Sequence, residues 1–129
     1  MPPYSIFIIE DQLDLREAMT TALADNGHKS GAVEDGQSAL RILEDLRTAA
    51  IFFVDLALPG EDGWHLISKI RSHGQAHGLF HRIVIISGLH NAHTIAHLES
   101  VGFLAKPFNL SHLLSVVNAL TSQVEAPAA

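Results

Sequence analysis

Five polar residues each follow directly on a short apolar run, and their types together suggest one kind of chemistry. Glu10 and Asp11 come after residues 4–9, Asp55 after 51–54, Ser87 after 83–86, and Lys106 after 103–105. Three carboxylates sharing one partly desolvated cleft repel one another, so a cation has to sit among them. An all-oxygen donor set with room for water suits Mg²⁺ (or Mn²⁺), which completes its octahedron with phosphate oxygens. Phosphoryl transfer then needs an in-line nucleophile and neutralised equatorial oxygens. Asp55 ends the most central run, ahead of a loop that must bend through Pro59 and Gly63. It is the candidate nucleophile and would become an aspartyl phosphate. Asp11 would bind the metal directly, and Glu10 would hold a metal-bound water or complete the shell. Lys106 would meet one phosphate oxygen as a point charge, and the Ser87 hydroxyl would donate to another.

Taken singly, each residue has a plainer use. Asp11 could cap a helix. Asp55 could close an Asx-turn, and Lys106-Pro107 could be only a turn. Their coincidence at the ends of successive strands sets them apart, so the elements that carry them matter.

Residues 4–9 read as a buried strand, and 13–24 as a helix with Leu15, Ala18, Met19, Ala22 and Leu23 at helical spacing. Asn26-Gly27 stops that helix. A weaker strand is expected at 29–33, followed by a helix opened by Asp35-Gly36 and running through Leu40, Leu43 and Leu46. Residues 51–54 are continuously apolar, as in a strand covered on both faces. Pro59-Gly60 and Asp62-Gly63 mark a tight loop before a helix over 64–72, with Trp64, Ile67 and Ile70 on one side. A buried strand at 83–86, a helix at 91–100, a short strand at 103–105 and an amphipathic final helix capped by Asn109 complete the pattern. Strands alternating with helices define an α/β, doubly wound fold, a parallel sheet with helices on both faces. Such sheets bind ligands beyond the carboxyl ends of their strands.

Composition narrows the choice further. The chain has 129 residues, enough for one core, and is 47% hydrophobic and 17% charged, so it is expected to fold as one packed domain. Its formal charge of −6 would repel a nucleic-acid backbone and an anionic membrane, so neither is expected as a direct partner. That charge is unevenly placed: residues 1–62 hold twelve acids and four bases, a balance of −8, and residues 63–129 hold two acids and four bases, a balance of +2. The absence of cysteine removes disulfides, thiolate metal sites and cysteine nucleophiles, and suits a reducing, cytoplasmic location. No apolar run reaches the ~20 residues of a membrane span, and the N-terminus does not read as a secretory signal.

The residues resemble the receiver domain of two-component response regulators, of the chemotaxis-regulator type. The likeness spans about residues 4–121. It is carried by Glu10-Asp11, by the stretch from Val54 to Gly63, by Ser87-Gly88 and by Lys106-Pro107-Phe108. The resemblance implies a five-stranded, flavodoxin-like sheet of order 2-1-3-4-5 in a receiver domain at 1–121, with 122–129 as an Ala/Pro-rich tail or the start of a linker. It implies that Asp55 accepts a phosphoryl group from a histidine kinase or histidine phosphotransfer protein. Mg²⁺ would be held by Asp11, Asp55 and the backbone carbonyl of Ala57. Ser87 and Phe103 match the switch hydroxyl and switch aromatic, which move inward on phosphorylation, and Lys106-Pro107 is expected to be cis. The signal would pass to a downstream protein or effector domain through the face formed by the 91–100 helix, the fifth strand and the last helix. The domain would assist its own phosphorylation and dephosphorylation without being a turnover enzyme on an external substrate.

Two departures concern the lifetime of the phosphoryl group. The positions that flank the attacking water in this family are apolar here, Ala57 and Leu89, so hydrolysis should be slow. Among rival readings, a phosphatase or mutase of the haloacid-dehalogenase type needs an acid where Ala57 stands. A flavodoxin-like electron carrier would place its phosphate against Glu10-Asp11, which repel it. A receiver-shaped interaction module that no longer accepts phosphate is the alternative function. The histidines read as solvated surface: His73, His77 and His81 in a loop through Gly74 and Gly78, and His90, His93 and His97 along one helix side. A pH-sensitive surface is expected near that second set.

Overall fold

The computed structural model describes residues 5–58, 63–88 and 101–125, with side chains as far as residue 121. The loop at 59–62, Leu89, the expected helix at 91–100 with His90, His93 and His97, and residues 126–129 lie outside the described residues. Five strands, β1 (Ser5–Ile9), β2 (Ser30–Val33), β3 (Ala50–Asp55), β4 (Arg82–Ser87) and β5 (Gly102–Ala105), form one parallel sheet in the order β2-β1-β3-β4-β5. Four helices are described: α1 (Leu13–Asp25), α2 (Gly36–Asp45), α3 (Gly63–His77) and α4 (Leu110–Glu125).

The central strand explains why the apolar runs are continuous rather than alternating. Every residue of β3 is buried, and its side chains go alternately to two cores. Phe52 and Val54 join Ile9, Ile83 and Ile85 under α2 and α3, against Leu43, Leu66, Ile67 and Ile70. Ile51 and Phe53 join Ile6, Ile8, Val84 and Ile86 under α1 and α4, against Met19, Leu23, Leu113 and Val117. A strand with a core on each side carries no polar face. The edge strand β2 is half-buried throughout, which is why its sequence signal is weak.

The helix starts follow from local chemistry. Asp35 accepts from the Ser38 N–H at 2.8 Å and opens α2, and Asn109 does the same for His112 at the start of α4. The residue flanking the start of α1 is Gln12, whose side chain makes no cap bond, so Asp11 is not spent on capping.

α3 differs from its expected extent. It runs five residues past Ser72, through Gly74 to His77, so His73 and His77 are helical rather than in a loop. Gly74 is required there because a Cβ would stand 2.6 Å from the Leu79 carbonyl oxygen, which turns back over the helix. Gly78, at φ +66°, then ends the helix in the left-handed conformation. At the other end of the chain, α4 continues to Glu125, into the 122–129 stretch expected as tail or linker start.

Candidate phosphoacceptor site

The carboxyl ends of β1, β3, β4 and β5 meet at one rim, and backbone hydrogen bonds continue the sheet into it. Glu10 N–H donates to the Val33 carbonyl at 3.0 Å, Leu56 to Ile86 at 3.2 Å, and Lys106 to Ser87 at 3.0 Å. These bonds fix the residues that immediately follow each strand. Glu10, Asp11 and Asp55 thereby place one carboxylate oxygen each within 4.8 Å of one another.

Burial divides the acidic residues. Glu10 is fully buried and Asp55 is 3% exposed, whereas Asp11 faces water. Lys106 Nζ lies between the buried two, 2.7 Å from Glu10 Oε1 and 2.8 Å from Asp55 Oδ2. Asp55 Oδ1 accepts the Ala57 N–H at 2.9 Å, so both of its oxygens have partners and the carboxylate is fixed in orientation. Burial pushes the Glu10 carboxyl up to about 7; the Lys106 ammonium and the Gln12 N–H work against that rise, and the Asp55 charge adds to it. Burial alone would lower the Lys106 ammonium, but its hydrogen bonds to Asp55 and Glu10 outweigh it and hold Lys106 above the usual range. The site therefore carries a permanent positive charge beside a crowded acidic group.

Ser87 is buried at the end of β4, and its neighbour Ile86 pairs with Asp55 in the sheet register. Phe103, on β5, is half-buried against the α2/α3 core. The Ala57 side chain is exposed and apolar next to Asp55. Lys106-Pro107 is cis. Gly63, where α3 begins, allows the helix to approach the Asp55–Leu56 backbone; a Cβ there would be 2.8 Å from Leu56 Cα. Leu89 is outside the described residues.

One residue of the rim escapes a reading of strand ends. Arg16, one turn into α1, donates to the Glu10 carbonyl at 2.8 Å and to the Asp11 carbonyl at 3.4 Å, tying down the backbone of the acidic pair. Its only sequence signal is its spacing of five and six residues from that pair, which is too common to notice.

The fold and the site together define a signalling domain of the receiver class. The chain belongs to the response regulator receiver domain family, whose model matches residues 6–118. It is 32% identical over 119 residues to the two-component response regulator PhoP of Pseudomonas aeruginosa, covering 89% of this chain and 50% of PhoP. It is 30% identical over 125 residues to the transcriptional regulatory protein HprR of Escherichia coli (strain K12), covering 94% of this chain and 53% of HprR. The chain thus spans about half the length of these relatives. Among solved structures, the receiver domain of NtrX from Brucella abortus superimposes with a TM-score of 0.74 at 27% identity, covering 91% of this chain and 98% of that one. The chemotaxis response regulator CheY4 of Vibrio cholerae shares the fold at a TM-score of 0.76 and 21% identity, covering 90% and 97% of the two chains. Among the described residues, no helix is long and apolar enough to cross a membrane.

Proposed function

We propose that Asp55 is the phosphoacceptor of this receiver domain and that a histidine kinase or histidine phosphotransfer protein is its donor. The observation that carries this reading is the setting of Asp55. It is held by Lys106 at 2.8 Å and the Ala57 N–H at 2.9 Å, and its carboxylate lies within 4.8 Å of Glu10 and Asp11. A carboxylate fixed in this way needs little reorganisation to attack. An Asp55 oxygen forms a bond to phosphorus while the donor's P–N bond breaks; the bonding pair leaves on the imidazole nitrogen, which takes a proton from solvent. Lys106 then moves from two carboxylates to a phosphoryl oxygen, and Ser87 donates to another. Replacing the single negative charge of the Asp55 carboxylate by a phosphoryl group of about −1.5 to −2 redistributes these partners and moves Ser87 and Phe103 inward.

The donor set suits Mg²⁺ (or Mn²⁺): it is all oxygen, it is crowded, and one of its members, Asp11, is open to water. Asp11, Asp55 and the Ala57 carbonyl would be the ligands, with Glu10 supporting the shell. The ion supplies neutralisation of the transferring phosphoryl oxygens. Ala57 offers nothing to orient a hydrolytic water, so the aspartyl phosphate is long-lived and Ala57→Asn shortens its lifetime. Output passes through the face of β5, α4 and the preceding segment to a downstream protein or effector domain. Direct nucleic-acid binding by this domain is not part of the reading, and a cytoplasmic location goes with it.

The test is incubation with Mg²⁺ and a small phosphodonor, followed by intact-mass measurement. The expected result is a phosphoryl adduct in the wild type that is absent in Asp55→Ala. If the folded wild type gains no mass, the domain is an interaction module that does not accept phosphate.

A further inference from the structure

The amino ends of the strands, opposite the carboxylates, hold a second group of titratable side chains that the phosphoryl chemistry does not use. His73 on α3 and His81, just before β4, place His73 Nδ1 3.0 Å from His81 Nε2, with the rings stacked at 22°. The expectation of solvated histidines fails for these two, which are half-buried. His81 Nδ1 accepts the backbone N–H of Ala50, the first residue of β3, at 3.1 Å.

That last bond settles where the hydrogens are. A nitrogen that accepts an N–H must present its lone pair, so the neutral His81 ring carries its hydrogen on Nε2. His81 Nε2–H therefore donates to His73 Nδ1, and the His73 hydrogen is on Nε2, a buried atom beside the Leu46 and Leu43 backbone at the end of α2. A relay results, from Ala50 through His81 to His73, and each ring in it must be neutral. The same logic excludes a cation shared by the two rings, because His81 has a single lone pair and Ala50 occupies it.

We propose that this relay is an acid-sensitive latch. It fastens the end of α3 and the 78–81 turn to the start of β3, and it opens when either imidazole gains a second proton. A protonated His81 would point an N–H at the Ala50 N–H. A protonated His73 would point one at His81 Nε2–H. On balance the surroundings disfavour both cations. The Phe52 ring stands perpendicular to the His81 ring with centroids 5.4 Å apart, the His77 ring lies 4.4 Å from His73 on α3, and Arg47, just after α2, acts on His73. No carboxylate among the described residues acts on either ring. Burial first, then the His73 and His77 rings, hold His81 down at about 4; burial, then His77 and Arg47, hold His73 below its ordinary range against the opposing Leu46 and Leu43 backbone.

The experiment follows the Ala50 amide and both rings by NMR in the full chain. In the wild type, Ala50 protection, corrected for intrinsic exchange, should fall on the order of tenfold between about pH 7.5 and about pH 5. The His81 ring should show the Nε2–H form at the higher pH. His81→Asn, whose side-chain oxygen can still accept from Ala50 but cannot titrate, should remove the fall. Protection unaffected by pH in the wild type, the same fall in His81→Asn, or an Nδ1–H ring at His81 would each overturn the latch. Should the variant not fold, the wild-type titration decides alone: His81 gaining its proton well below the ordinary histidine range supports the latch, and gaining it near 6.5 overturns it.

Discussion

Two adjacent carboxylates in this domain have been given opposite environments, and the difference sets what each can do. Asp11 stays hydrated and can exchange water for a cation at little cost, whereas Glu10 is fully enclosed and depends on Lys106 for its counter-charge. Lys106→Met keeps the bulk of the side chain and removes that charge. Without Mg²⁺ the variant should lose about 1–3 kcal/mol, less than a dry ion pair would cost because Lys106 remains partly exposed. Saturating Mg²⁺ should recover more stability in the variant than in the wild type, since the ion replaces the missing cation. Urea midpoints with and without Mg²⁺ measure both quantities, and an equal Mg²⁺ increment in the two proteins would show that Lys106 does not serve as the counter-charge. The placement of Glu10, Asp11, Asp55, Ser87 and Lys106 at the strand ends was legible in the sequence, because a strand end is a position that apolar runs mark sharply. Arg16 was not, since a helix residue that reaches back to two carbonyls leaves no pattern in residue types.

At the scale of elements, the sequence was most readable where burial is two-sided and least where one atom decides. The runs in β1, β3 and β4 could be nothing but covered strands, and the caps at Asp35 and Asn109 marked helix starts. The end of α3 was misjudged because Gly74 looks like a helix breaker. Its actual role is steric: the Leu79 carbonyl oxygen sits where a side chain would be, and the Leu79 N–H donates to the Gly74 carbonyl at 2.8 Å. A Gly→Ala exchange in an open helix gains about 1 kcal/mol. Gly74→Ala should reverse that sign and destabilise the domain by about 1–3 kcal/mol, because the 78–81 turn must move away. Thermal or urea unfolding gives the sign directly, and a stabilised Gly74→Ala would mean that the turn yields freely. Either way, His73 and His81 came to be misread as surface by the same route, while His77 is exposed as expected: once α3 continues to His77, His73 is turned toward His81.

Across the whole molecule, the two ends of the sheet respond to pH with opposite signs. Glu10, at the carboxyl end, is raised from 4.5 to about 7 by burial, so the folded state disfavours its charge. Its contribution is fully present below 4.5 and is lost as pH rises through 7. His81, at the amino end, is lowered from 6.5 to about 4, so the folded state favours its neutral form. Its contribution is present above 6.5 and is lost as pH falls through 4. Between 4.5 and 6.5 the unfolded chain has already ionised Glu10 and still protonates His81, and the two slopes oppose each other. Metal-free wild type should accordingly show a shallower profile across that window than either group alone would give, with His73, also held down, adding to the rising side. Substitution at either end should expose the other: Glu10→Gln should leave stability rising with pH, and His81→Asn should leave it falling. Mg²⁺ favours the charged form of Glu10, so the Mg²⁺-saturated wild type should follow the Glu10→Gln profile. Urea midpoints at a series of pH values separate these cases. A wild-type profile that keeps the same steep slope in both variants would place the titrating groups elsewhere, and one that ignores Mg²⁺ would remove Glu10 from the metal's surroundings.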